Sequence, residues 1–148
     1  MTPIVLSMLP KEDVELLEKT RLIVHAFPDG LDYGKHPDGE QIVLSCHILA
    51  GAIANIFCLD VKTGYFRPNY DHSWVKTPNG HIIDVYPVGI LGGPFLVEQT
   101  ASFISPGRHL YQPDVSVWER AFAKKHIKQA INIASNAALE VAKKLCLQ

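Results

Sequence analysis

The chain has 148 residues, of which 47% are hydrophobic and 20% charged, with a formal net charge of −1. That length suits one domain, 1–148, with a core of its own, and near-neutrality argues against nucleic acid or an anionic membrane as a partner. No apolar run reaches bilayer length, the amino terminus lacks a secretory pattern, and Cys46, Cys58 and Cys146 make no close pair, so reduced thiols in a cytoplasmic setting are expected, with export that needs no signal peptide still compatible.

In chain order, Met8 to Phe27 predicts a first helix, with Pro10 in its opening turn and Glu12 and Asp13 complementing the dipole. Pro28-Asp29-Gly30 stops it, and residues 28–41 carry a second Pro-Asp-Gly at 37–39. This stretch is expected to be a loop, with Tyr33, Lys35 and His36 at the surface. Ser45 to Phe57 is apolar nearly all round and predicts a core helix. Ser45 suits its N-cap, which puts Cys46 at the first helical position, where the helix dipole favours a thiolate. Leu59 to Pro68 reads as a short strand or a turn.

Tyr70 to Pro87 predicts a β-hairpin around Pro78-Asn79-Gly80. Pro78 belongs at the second position of a type I turn, with Gly80 left-handed in a bulge. Thr77 then faces His81 and Asp84 faces Trp74. His72 shares their face as a diagonal neighbour, roughly 7–8 Å from Asp84. A two-residue Asn79-Gly80 loop would instead send His72 and Asp84 to opposite faces. Beyond the hairpin, Gly92-Gly93-Pro94 breaks an apolar run before a strand from Phe95 to Glu98. Ser105-Pro106-Gly107 marks a turn, and His109 to Gln112 a last short strand. From Asp114 onward a helix is expected. Ile127, Ile131, Ala134, Ala138, Val141 and Leu145 form its packed face, and Lys124, Lys125, Lys128, Lys143 and Lys144 its solvated side. Helices, then strands, then a helix indicate α+β: a core helix bearing Cys46 on a small antiparallel sheet, and a long C-terminal helix.

Cys46, His72 and Asp84 thus supply a nucleophile, a base and an orienting carboxylate in chain order. Cys58 and Cys146 have no such setting and are assigned structural roles. Zinc on Cys46, His47, His72 and His81 is the competing arrangement. It is disfavoured because no Cys-x-x-Cys or His-x-x-x-His pair exists and His72 and His81 fall on opposite faces. No metal or other cofactor is expected. A serine hydrolase and a nucleotide-binding fold both lack their glycine signatures.

At these residues the chain resembles the transglutaminase-like branch of the papain-like cysteine enzymes. The shared pattern is a helix-opening cysteine (Cys46 with Ala50), His-x-Trp in a strand (His72 with Trp74), and an aspartate on the next strand (Ile82-Ile83-Asp84). The resemblance covers about residues 41–87, and His47 stands where such enzymes often carry an aromatic. Asp84-Val85-Tyr86-Pro87 with Gly92-Gly93-Pro94 is also similar to arylamine acetyltransferases. The resemblance implies a papain-like fold and acyl transfer from an amide of a peptide or protein substrate, as peptidase, deamidase or transglutaminase. It further implies an oxyanion donor at Gln41; Trp74 is expected either as a wall of the site or as a plain core residue. The alternatives are a non-enzymatic binding module on the same fold and an acyl-CoA-dependent N-acetyltransferase. Oligomeric state is not legible.

Overall fold

Thr77 to Gly80 sets the frame of the sheet. The Gly80 amide donates to the Thr77 carbonyl at 3.0 Å, the Thr77 amide donates to the His81 carbonyl at 2.9 Å, and Gly80 takes φ 82. This is the expected turn with its left-handed glycine. It fixes β4 (Tyr70–Lys76) against β5 (Ile82–Asp84), with Val75 opposite Ile83 and Lys76 opposite Ile82. The computed structural model describes residues 9–26, 33–35, 41–43, 46–66, 70–85, 93–97, 103–105, 108–109, 111–114 and 124–146.

Their elements are α1 (Lys11–His25), β1 (Tyr33–Lys35), β2 (Gln41–Val43), α2 (Cys46–Phe57) and β3 (Asp60–Phe66), then β4 and β5. They continue with β6 (Phe95–Val97), β7 (Phe103–Ser105), β8 (Arg108–His109), β9 (Tyr111–Pro113) and α3 (Lys124–Lys144). The class is α+β. A five-stranded antiparallel sheet in the order β6-β5-β4-β3-β9 is joined by two two-stranded ribbons, β1-β2 and β7-β8. No helix among the described residues is long and apolar enough to cross a membrane.

Side-chain alternation makes β4 two-sided. Val75, Ile83 and Leu96 pack against Leu49, Ala50 and Ile53 of α2, Leu17 and Ile23 of α1, and Ala138 and Val141 of α3. The opposite face carries Trp74, Ile82 and Tyr111 with Phe66 and Val97. On this bilayer of helices over sheet, α2 is buried along most of its length, as its all-round apolarity requires.

Several expectations are corrected. The stretch 28–41 is not loop throughout, since β1 lies within it and Gln41 opens β2. Leu59 to Pro68 holds a full seven-residue strand, which pairs with β4 along its length. The segment His109 to Gln112 is divided between β8 and β9, which belong to different sheets. Asp114 belongs to the end of the β9 region and is not helical; residues 115–123 lie outside the described residues, and the expected helix is seen as α3, Lys124–Lys144. Its buried apolar face runs to Ala142, with Leu145 41% exposed. Cys58 and Cys146 are exposed, not packed, and each takes φ 55 just past a helix end. At Cys58 this lets the Leu59 amide donate to the Ala54 carbonyl at 2.8 Å, so the residue serves the helix exit through its backbone.

Candidate active site

The tip of α2 meets the first half of β4. Cys46 is the first residue of α2, and its thiol is partly exposed, whereas the residues that follow it are buried. Ser45, the expected N-cap, lies outside the described residues. From β4, His72 is completely buried and Asp84 from β5 is 1% exposed. The Nε2–H of His72 donates to both carboxylate oxygens of Asp84, at 2.9 and 3.0 Å. The hairpin register therefore does what its turn implies, placing imidazole and carboxylate on one face. The remaining nitrogen of His72, Nδ1, is buried with no hydrogen-bond partner among the described residues. It is the atom left to exchange a proton with a thiol.

The electrostatics couple sulfur and imidazole. Burial alone would raise the Cys46 thiol, but its interactions with His47 and His72 overcome that and bring it down to about 6. Burial alone would likewise lower His72, yet its bonds to Asp84 and its interaction with Cys46 raise it to about 9. Between those values the pair exists as thiolate and imidazolium, which is the nucleophilic state of a cysteine.

Two residues of the site were not anticipated from sequence. Tyr111, on β9, donates its hydroxyl to Asp84 Oδ2 at 2.8 Å. Burial first, and the Asp84 charge second, raise its own ionisation above the ordinary phenol value, so it stays a donor. Its ring meets Trp74 and Phe66 edge-on, each at 5.2 Å between centroids, and these aromatics close over His72. Trp74 lies 6.3 Å from His72 and is 3% exposed, a buried wall behind the imidazole. The second residue is His47, buried between α2 and β4. Its Nδ1 lies 2.6 Å from Ser73 Oγ and its Nε2 3.4 Å from Asp71 Oδ2. In the sequence it figures only as the neighbour of Cys46 and as one member of the disfavoured zinc arrangement.

Gln41 opens β2, but its side chain lies outside the described part of the structure, as do Tyr33, Lys35 and His36. The backbone N–H of Cys46 stands at a helix start, where such groups have no partner within the helix. His81 is on the turn side of the hairpin, with its amide bonded to Thr77 Oγ1 at 2.9 Å. Comparison with known proteins returns no matching family model, no matching curated protein and no matching solved structure.

Proposed function

We propose that this chain is a cysteine-dependent acyl-transfer enzyme acting on an amide, with Cys46 as nucleophile, His72 as acid–base and Asp84 as its orienting carboxylate. The observation that carries this reading is the meeting of a depressed thiol at a helix tip with a buried imidazole whose far nitrogen is held by a buried carboxylate. The order helix cysteine, strand histidine, next-strand aspartate further supports a papain-like fold of the transglutaminase-like branch.

In this mechanism the Cys46 thiolate adds to the amide carbon, and the carbonyl electrons move to oxygen, where the Cys46 amide can donate. His72 gives its proton to the leaving nitrogen as the C–N bond breaks, which leaves a thioester and a neutral imidazole. That imidazole then takes a proton from water or an amine as it attacks the thioester, and the sulfur leaves as thiolate. Water makes the protein a peptidase or deamidase; an amine makes it a transglutaminase. Asp84 keeps Nε2 protonated throughout, so that Nδ1 does the proton exchange.

The test is intact mass spectrometry after incubation with glutamine-containing peptides and with activated acyl-amide probes. An acyl adduct on Cys46, absent from Cys46→Ala, supports the assignment. Adducts that persist in Cys46→Ala, or turnover retained by it, would end it.

A further inference from the structure

Asp84 holds partners from two other strands at once. Its Oδ1 takes the His72 Nε2–H at 2.9 Å. Its Oδ2 takes that same N–H at 3.0 Å and the Tyr111 hydroxyl at 2.8 Å. All three residues are buried, with Tyr111 the most exposed at 7%. In the sheet order β3 and β4 stand between β9 and β5, so Tyr111 reaches Asp84 across the face that His72 occupies. Its ring passes 6.3 Å from the imidazole, centroid to centroid.

We infer that Tyr111 is a positioning residue of this site, acting through Asp84 to fix the His72 ring and to set how readily that ring releases its proton. The inference rests on the reading of Cys46 as nucleophile and His72 as its acid–base. Two features argue for it. First, the direction of the hydroxyl is fixed before any substrate arrives. The Tyr111 ring stands edge-on to Phe66 and Trp74, each at 5.2 Å, and its backbone is paired with Phe66 across β3 and β9. A donor held in this way on Oδ2 fixes the carboxylate plane, and with it the ring that bonds both oxygens. Second, burial and the Asp84 charge raise the ionisation of the phenol above its ordinary value, so the hydroxyl stays a donor across the working range.

The consequence concerns proton delivery. A carboxylate that also serves a second donor holds the imidazolium less tightly, which leaves His72 a better acid toward a leaving nitrogen. Among the described residues, the titratable groups meeting His72 are Asp84 from β5, Tyr111 from β9 and Cys46 from α2. Asp71 and His47 pair with each other on the opposite face of β4.

The experiment is nitrogen-15 NMR of the His72 imidazole against pH, beside the rate at which an activated acyl-amide probe acylates Cys46. The chains compared are the wild type, Tyr111→Phe, and one with 3,5-difluorotyrosine at 111, which keeps ring and hydroxyl but donates more strongly. The wild-type His72 midpoint is expected near 9. Tyr111→Phe should raise it by about half a unit to one unit, the scale of one hydrogen bond, and difluorotyrosine should lower it. Acylation at saturating probe should slow in Tyr111→Phe, with the half-saturating concentration unchanged. Ring packing alone would not displace the two titrations in opposite directions. Three superimposable His72 titrations, with Cys46 still acylated, overturn the inference and leave the nucleophile assignment standing. A wild type that forms no acyl adduct sinks both. The difluorotyrosine chain decides alone if Tyr111→Phe does not fold: a lowered midpoint supports the inference and an unchanged one overturns it.

Discussion

One carboxylate, Asp84, receives both the His72 Nε2–H and the Tyr111 hydroxyl, and it is buried with them. Sharing that charge between two donors limits how tightly it holds the imidazolium. In the proposed chemistry, activity requires Cys46 ionised and His72 protonated. Turnover should therefore rise as pH climbs through about 6, where the depressed thiol ionises, and fall through about 9, where the raised imidazole loses its proton. Those two limbs belong to the coupled pair rather than to either residue alone. Tyr111→Phe leaves Asp84 with His72 as its one donor among these, which strengthens the imidazolium. The alkaline limb of the pH–rate profile should accordingly move upward, and a limb that moves down contradicts this role for Tyr111. His72 and Asp84 were legible in the sequence because Pro78 and Gly80 fix the local register. Tyr111 was not, because nothing local says that β9 lies beside β3. Nor was the environment of His47 legible, since a histidine in an apolar helix looks the same whether it faces aliphatics or a serine and an aspartate.

The hairpin owes its placement to α1. Asp13, fully buried in the first turn of that helix, accepts from Thr77 Oγ1 at 2.5 Å and from Asn79 Nδ2 at 3.0 Å. Glu12 accepts from the same amide at 3.2 Å. An acidic residue that looks from sequence like a dipole complement is therefore also the clamp on the turn that sets the register of the site. At the other end of α1, Arg21 Nε and His25 Nε2 donate to the Pro94 and Gly93 carbonyls, each at 2.9 Å, and steady the chain entering β6. Asp13→Ala removes a buried acceptor shared by two donors and should cost about 3 kcal/mol of stability. Urea unfolding measures this, and a denaturation midpoint equal to the wild type would contradict the clamp. Among the elements, α2 was the most legible, because its nearly continuous apolar run predicts burial, and His47 to Ala54 are buried. β3 was only partly legible, because its Lys62-Thr63-Gly64 looks like a turn. The glycine is there for a different reason.

Gly64 lies opposite His72 on one side and Pro113 on the other. With φ +154, a Cβ at this position would come within 2.0 Å of the Gln112 carbonyl oxygen and 2.6 Å of the Asp114 amide nitrogen. This close approach is what brings β9, and with it Tyr111, to the edge of the sheet; the Asp114 amide also donates to the Thr63 carbonyl at 3.0 Å. Gly64→Ala should therefore push β9 away and lose about 3 kcal/mol of stability, by the overpacking and strain such contacts impose. It should also move the His72 titration as Tyr111→Phe does. NMR of the imidazole follows this shift, and an unchanged His72 titration would contradict the coupling. On the far side of α2, Gly51 lets Ile131 of α3 approach, and the Asn55 amide donates to Ser135 Oγ at 3.0 Å, which fixes the terminal helix behind the site. The α+β class was readable because helical and strand periodicities occupy separate stretches of chain. The sheet order was not, because it depends on a pairing between β3 and β9, far apart in sequence, that no local pattern announces.

The most direct measurement is the ultraviolet thiolate absorbance of the wild type minus that of Cys46→Ser, followed across pH. The account predicts a difference signal fully developed at neutral pH, with its midpoint near 6. A difference that develops only near the ordinary thiol value of about 8.5 would mean that neither imidazole reaches the sulfur, and would contradict it.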